Sequence, residues 1–206
     1  MLLSIAKEKR WQVYLLAFLI VLLQWLFGWI VSPLWLIWIF VAYLLRDYPR
    51  KFPSKPLDVL APVDGEVISI EEKTNLYLQI NSQCISIRQN RFGEFNLHSP
   101  TEGTVRRRWW PGKVCDEAVP ENGFAWWIQT DEKDDLVLEV VPAVSWLRSI
   151  RCLTQTGERI GQGKRCGFAG YALDVQLFLP AQSKIIVKPG DRLLAGQDSI
   201  AVFQHG

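Results

Sequence analysis

The chain has 206 residues, of which 49% are hydrophobic, and its formal net charge is +2. This length suits one ordinary domain with an appendage, and the charge is too small to indicate nucleic-acid binding, so we expect no nucleic-acid partner. The sequence contains only two histidines, and its four cysteines form no Cys-x-x-Cys pair. We therefore expect no metal site.

The first element is an apolar block without charged residues from Trp11 to Leu45. A single helix of this length would extend about 52 Å, well beyond a hydrocarbon core of roughly 30 Å. Gly28 and the pair Ser32-Pro33 lie near the middle and favour a break into two helices. We predict that residues 1–45 form a membrane anchor, a transmembrane helical hairpin.

Basic residues flank this block on both sides: Lys7, Lys9 and Arg10 precede it, and Arg46, Arg50, Lys51 and Lys55 follow it. Positive charge at both ends favours placing both ends on the cytoplasmic face, which a hairpin allows and a single span does not. Residues 46–56 also carry three prolines, so we interpret them as an extended linker between the membrane and a soluble domain.

Short runs of β-branched and aromatic residues recur between turn signals throughout residues 57–206. This spacing predicts a β-dominated domain, all-β or α+β. The runs are Glu66–Ile70, Leu76–Ile80, Cys84–Arg88, Thr104–Trp110, Ala125–Thr130, Leu136–Val141, Leu173–Leu179, Lys184–Lys188 and Ser199–Phe203. Only Ala143–Ile150 suggests a short helix.

The segment Gly157–Pro180, GERIGQGKRCGFAGYALDVQLFLP, combines closely spaced glycines and arginines with an apolar run that ends in proline. It resembles the maturation segment of phosphatidylserine decarboxylases, especially their short membrane-anchored bacterial forms. That family has a Gly-Ser pair before the apolar strand, and alignment without a gap places Ala172 and Leu173 there. The resemblance implies a decarboxylase-like domain at residues 57–206 on the cytoplasmic face of a bacterial inner membrane.

Two further motifs match the family's catalytic partners of the serine. APVDG supplies Asp64, and LHSPTEG supplies His98. The resemblance implies that the histidine removes the serine proton while the aspartate orients the ring. Taken singly, Asp64 also suits an ordinary Asp-Gly turn and His98 a surface or capping residue. Phe95 stands where the family usually has a second histidine.

The expected chemistry needs a side chain that this segment lacks. In the family the serine attacks its own backbone, and elimination leaves a pyruvoyl group that serves as the electron sink. Leucine has no hydroxyl, and no serine or threonine lies between Gly157 and Pro180. We therefore expect no pyruvoyl cofactor. Asp64 and His98 would then be remnants of a triad whose serine position is occupied by Leu173. Cys166 could replace the serine only with a large shift in the register of the alignment. Lys164 could form a Schiff base only if the pKa of its amine were lowered.

A run of cations and aromatic rings, Arg106-Arg107-Arg108-Trp109-Trp110, is a candidate lipid contact. In a strand, Arg106 and Arg108 lie on one face and are candidates for a lipid headgroup. A half-solvated strand explains the run equally well. The partners we expect are a phospholipid membrane, an aminophospholipid headgroup, and either a second copy or an active homologue.

Three functions remain open from the sequence. The first is a lipid-binding or regulatory pseudoenzyme of phospholipid metabolism, and the second is an active decarboxylase with an atypical processing site. The third is a membrane-anchored lipoyl-like adaptor, suggested by APVDGEVISI and VKPGDRLLAGQDSIAVF. Against the adaptor, the segment between these motifs is rich in strands, whereas an adaptor needs a helical hairpin there.

Overall fold

A computed structural model describes residues 10–45, 55–109, 123–142, 149–170 and 173–204. The chain divides into two compact units, residues 1–49 and 50–206. The linker predicted at residues 46–56 lies mostly outside the described residues, so its conformation stays a prediction.

The first unit contains helix α1 (Arg10–Phe27), a 3₁₀ turn (Gly28–Val31) and helix α2 (Leu34–Leu44). The break falls where glycine and proline predict it. Gly28 has φ +66°, a left-handed conformation that side chains with a Cβ rarely adopt. Pro33 then precedes α2, where its fixed φ is compatible with a helix start.

Two tryptophan side chains join the helices. The Trp35 indole N–H donates to Gln24 Oε1 at 2.8 Å, and the Trp38 indole N–H donates to the Val13 carbonyl at 3.0 Å. These bonds satisfy polar groups within an otherwise apolar unit. The predicted pair of helices is therefore present.

Of the described residues, only Arg10–Val31 forms a helical segment long and apolar enough to cross a membrane. Helix α2 has 11 residues and extends only about 16 Å, roughly half of a hydrocarbon core. The transmembrane character of the second helix is thus not confirmed. The apolar N-terminal helix itself indicates membrane association.

The second unit is β-dominated, as predicted. Its described strands are β1 (Asp58–Leu60), β2 (Gly65–Asn75), β3 (Ile80–Gln89), β4 (Asn96–His98), β5 (Gly103–Trp109), β6 (Phe124–Gln129), β7 (Asp135–Pro142), β8 (Ser149–Cys152), β9 (Arg159–Ile160), β10 (Arg165–Gly170), β11 (Leu173–Pro180), β12 (Lys184–Ile185), β13 (Arg192–Leu193) and β14 (Ser199–Val202).

These strands form three sheets in which every described pairing is antiparallel. The largest sheet has eight strands in the order β13-β2-β3-β11-β7-β6-β5-β9. Two three-stranded sheets have the orders β1-β14-β12 and β4-β10-β8. The second of these holds both β4, which contains His98, and β10, which contains Cys166.

The strand predicted at Leu76–Ile80 is wrong. Residues 76–79 form the turn that joins β2 to β3, and Gln79 adopts φ 55°. The side chain of Asn75 accepts the main-chain N–H of Tyr77 at 2.9 Å, which favours a turn over an extended chain. For the predicted helix Ala143–Ile150, residues 143–148 lie outside the described residues, and Ser149 begins β8.

The large sheet buries residues on both faces. Leu136, Leu138 and Val140 of β7 belong to the main core, whereas Val137 packs in a second cluster with Trp109 and Phe178. Alternation along the strand also places Glu139 on the second face. Burial raises the pKa of its carboxyl group, against the opposing effects of Tyr77 and Lys73.

Candidate functional site

Asp64 lies in the turn that leads into β2 and is only 5% exposed. Its Oδ1 accepts the main-chain N–H of Ala195 at 2.8 Å, and its Oδ2 accepts that of Glu94 at 2.9 Å. A Cβ on Gly93 would lie 2.8 Å from the Asp64 Cβ, so the chain approaches this carboxylate closely because residue 93 is glycine. Asp64 thus fixes two distant loops.

His98 ends β4 and is buried. Its main-chain N–H donates to the Pro62 carbonyl at 2.9 Å, which joins the His98 motif to the Asp64 motif. The ring Nδ1 lies 2.8 Å from the Gly163 carbonyl oxygen, and Nε2 lies 3.4 Å from Glu94 Oε1. Both ring nitrogens therefore face oxygen atoms of the protein.

Glu94 is the site residue that sequence reasoning missed. It is buried, and its Oε1 also accepts a hydrogen bond from the Asn96 side-chain amide. The signal was present, because Glu94, Asn96 and His98 alternate with Phe95 and Leu97 and so share one face of an extended chain. A buried stripe of three polar residues is unusual enough to mark a site.

The structure brings Asp64 and His98 into one buried polar cluster, which also contains Gln89, Glu94 and Asn96. Asp64 is connected to the cluster through the main chain of Glu94, whose carboxylate lies against the His98 ring. A triad with position 173 stays a prediction. Leu173 begins β11 opposite Pro142 of β7, and Ala172 lies outside the described residues.

The two substitutes for the missing serine lie in different surroundings. Cys166 is buried in β10 and its thiol donates to the Leu97 carbonyl at 3.4 Å. Burial raises the pKa of this thiol to about 12, so it retains its proton and is a poor nucleophile. Lys164 is exposed next to the turn at residues 162–163.

The arginines proposed for a lipid headgroup make contacts within the protein. The Arg106 Nε donates to Gln129 Oε1 at 2.9 Å on the exposed surface. Arg108 is half-buried and its Nη1 donates to the Thr154 carbonyl at 2.7 Å, which fixes the loop after β8. That the two arginines bind a lipid headgroup remains a prediction. The observed hydrogen bond of Arg108 holds a loop of the protein in place.

A cavity of about 580 Å³ opens at the turn before β2, beside the loop after β3 and strand β13. Its lining includes three basic residues, Arg88, Arg91 and Arg192, and two acidic residues, Asp64 and Glu66. Arg88 also pairs with Asp174 at 3.2 Å. The lining also includes three exposed apolar residues, Ile68, Phe92 and Leu194.

Residues 37–201 match the family described as phosphatidylserine decarboxylase. The chain belongs to the phosphatidylserine decarboxylase family. This span includes the motifs of Asp64 and His98 and the segment Gly157–Pro180. The sequence prediction of the family is therefore confirmed, and with it a relation to phospholipid metabolism.

Two bacterial relatives show how much of the chain the similarity covers. A protein of Nitrosomonas europaea named phosphatidylserine decarboxylase proenzyme is 32% identical over 97% of this chain and 95% of its own length. A protein of the same name from Aromatoleum aromaticum is 34% identical over 85% of this chain and 83% of its own length. The similarity to the first of these extends over nearly the whole of both chains.

In this family the pyruvoyl group is made from a serine of the chain itself. The segment Gly157–Pro180 contains no serine or threonine, so it offers no residue that fits this group. The buried thiol of Cys166 does not replace it. Among the described residues, no group of three or more histidine, cysteine or acidic side chains is arranged to hold a metal ion.

Proposed function

We propose that this chain is a membrane-associated member of the phosphatidylserine decarboxylase family that does not process itself and acts as a lipid-binding or regulatory protein. The observation that carries this proposal is Leu173 at the position of the reactive serine, in a segment without serine or threonine. Self-cleavage begins with attack by a hydroxyl or thiol, and a leucine side chain has neither. Burial of Cys166 supports the proposal further.

The second candidate function is an active decarboxylase with an atypical processing site. The names of the relatives favour it, because both are called decarboxylase proenzymes. This candidate needs a different electron sink or a different cleavage position. Lys164 and Cys166 are the candidate nucleophiles of the segment, and both precede Ala172 by six or more residues in the sequence.

The intact mass of the purified full chain separates the two candidates. We expect one chain of about 23.7 kDa on a denaturing gel and no release of carbon dioxide from phosphatidylserine in detergent. The Nitrosomonas europaea relative, prepared in the same way, is the matched control for both assays. Two fragments with a blocked new N-terminus, or carbon dioxide above the background of the boiled protein, would reject the proposal.

The cavity beside β13 is our candidate for the headgroup site, in place of the Arg106 and Arg108 pair. Its guanidinium groups suit a phosphate, and Glu66 suits the amine of an aminophospholipid headgroup. The exposed apolar residues of the lining suit the first carbons of acyl chains. Arg106 and Arg108, by contrast, already donate to protein oxygens.

Replacing two arginines of the cavity lining tests this assignment. In Arg91→Gln/Arg192→Gln we expect the affinity for glycerophosphoethanolamine to fall at least about tenfold, because two charge-assisted hydrogen bonds are lost. Titration calorimetry of the full chain in dodecyl maltoside measures the affinity. Arg106→Gln/Arg107→Gln removes two equally exposed charges as a control. Equal losses in both double variants would show that the effect is one of net charge.

The location and partners complete the proposal. Basic residues on both sides of the apolar block support a β-domain on the cytoplasmic face of the inner membrane. A non-processing member fits a second copy of the chain or an active homologue as its protein partner. Membership of the decarboxylase family disfavours the lipoyl-like adaptor.

A further inference from the structure

Two loops of the β-domain expose large apolar side chains at the cavity beside β13. Phe92 lies in the loop after β3 and is 63% exposed, and Leu194 follows β13 and is 50% exposed. Ile68 of β2, which is 41% exposed, belongs to the same lining. Single exposed apolar residues are ordinary, whereas several of them at one place mark an interaction surface. We call Ile68, Phe92 and Leu194 the apolar tip.

Asp64 holds both loops in this conformation. Its main-chain carbonyl accepts the Asn90 N–H at 2.8 Å at the start of the first loop, and its Oδ2 accepts the Glu94 N–H at 2.9 Å at the end. Its Oδ1 accepts the Ala195 N–H at 2.8 Å in the second loop. Within the first loop the Phe92 N–H donates to the Asn90 side chain at 3.0 Å. The exposed side chains therefore project from loops that are fixed at several points, and a collapse onto the domain would break these hydrogen bonds.

Exposed positive charge accompanies the apolar tip. Three exposed arginines line the same cavity: Arg88, Arg91 and Arg192. Glu66 is the cross-strand neighbour of two of them, and Asp174 pairs with Arg88 at 3.2 Å. The third carboxylate at the cavity, that of Asp64, is buried and accepts main-chain N–H groups. The three exposed arginines outnumber the two exposed carboxylates, and this excess of positive charge favours an anionic partner.

A bilayer that contains anionic phospholipid fits both properties of this surface. Its headgroups attract exposed arginines, and the boundary between headgroups and acyl chains accepts apolar side chains such as Phe and Leu. The apolar helical segment Arg10–Val31 already indicates membrane association, so a bilayer is a partner that the chain is expected to meet. The apolar tip therefore has the composition of a membrane-docking surface.

A second exposed apolar pair shows the contrast. Leu76 and Ile80 are 57% and 41% exposed and flank the turn that joins β2 to β3, at the opposite end of these strands from the cavity. The three residues Glu71-Glu72-Lys73 precede this turn and carry a net negative charge. Anionic headgroups repel such a segment. Leu76 is therefore matched to Phe92 in exposure and apolar character, but not in the charge around it.

We infer that Phe92 and Leu194 enter the interface of an anionic bilayer and dock the β-domain on it, with the arginine-lined cavity facing the headgroups. Asp64 then has a role that needs no catalysis, because it holds the two loops that carry the apolar side chains. The inference goes beyond the proposed function, since it holds whether or not the chain cleaves itself.

Photochemical crosslinking from position 92 tests the docking. The full chain carries Phe92→p-benzoylphenylalanine in nanodiscs of phosphatidylcholine with phosphatidylglycerol, and its intact mass after irradiation reveals the lipid adducts. Because position 92 lies at the depth of the lipid and position 76 does not, we expect at least about fivefold more adduct than with Leu76→p-benzoylphenylalanine. Equal adduct from the two positions, or crosslinks of position 92 to a second copy of the chain instead of lipid, would overturn the inference.

The native chain provides a measurement that needs no variant. Trypsin cleaves after Arg91, next to Phe92, and after Lys133, in the exposed turn between β6 and β7. In the same nanodiscs we expect cleavage after Arg91 to be at least about tenfold slower than in dodecyl maltoside, because lipid covers the docked loop. Cleavage after Lys133 is expected to be equally fast in the two media. An unchanged rate after Arg91 contradicts the docking.

The outcomes are separable from those of the proposed function. Two fragments of the untreated native chain reject a non-processing protein, and calorimetry with soluble glycerophosphoethanolamine tests the headgroup cavity without a bilayer. Lipid adducts and tryptic cleavage of the uncut chain address only the docking.

Discussion

Trp126→Ala is expected to lower the free energy of unfolding of the β-domain by about 3–5 kcal/mol. Trp126 lies in β6, is 1% exposed and is among the largest side chains buried in the main core. Its indole N–H donates to Cys152 Sγ at 2.8 Å and so joins the eight-stranded sheet to β8. Truncation removes the ring and this bond, and leaves a cavity between the two sheets. Urea unfolding of the full chain in detergent measures the loss.

Trp126→Phe is the control that separates packing from the hydrogen bond. It keeps most of the ring volume and removes the N–H with a small part of the indole, so we expect a loss of about 1–2 kcal/mol. Equal losses in the two variants would contradict a mainly packing role for Trp126. The half-buried neighbour Trp127, whose indole donates to Asp135, provides a second comparison on the other face of the sheet.

Gly65→Ala is expected to destabilise the domain by about 3 kcal/mol or more, because the new methyl group meets main-chain atoms. A Cβ at this position would lie 2.3 Å from the Arg88 carbonyl oxygen and 2.9 Å from Ile87 Cγ2. Strands β2 and β3 must then separate at the residue that follows Asp64. The loss is measurable by thermal unfolding followed by circular dichroism.

Gly161→Ala is the matched control for this glycine. Its added methyl group would meet Lys164 Cγ at 3.2 Å, on an exposed and flexible side chain that is able to move away. We expect a change within about 0.5 kcal/mol. If Gly65→Ala changed the free energy of unfolding as little as Gly161→Ala, the strands β2 and β3 would not approach each other as closely at Gly65 as the structure shows.

The family, the helix break and the β-dominated domain were predictable because each depends on local patterns. Gly28 and Pro33 interrupt an apolar run, and the spacing of β-branched residues predicts strands without reference to distant parts of the chain. The turn at residues 76–79 was missed because Tyr77 and Leu78 have strand-like propensity. A local hydrogen bond, from the Tyr77 main-chain N–H to the Asn75 side chain, favours the turn there.

The contacts of the candidate site were less predictable, because they join segments far apart in the sequence. Asp64 meets the N–H of Ala195, and His98 meets the carbonyl of Gly163. No periodicity indicates which main-chain groups a buried side chain meets. The sequence offered Arg108 as a candidate for a lipid headgroup or as part of a half-solvated strand, and it did not indicate the hydrogen bond of its guanidinium to the Thr154 carbonyl.

The order of strands has a consequence for any chain of this fold that is cut before Leu173. The fragment 173–206 would supply β11, which lies between β3 and β7, and β14, which pairs with β1. Its backbone would remain interleaved with the larger fragment in two sheets, so the product would behave as a single particle until denatured. The uncut chain therefore joins covalently two parts that, after such a cut, would be held together by strand pairing alone.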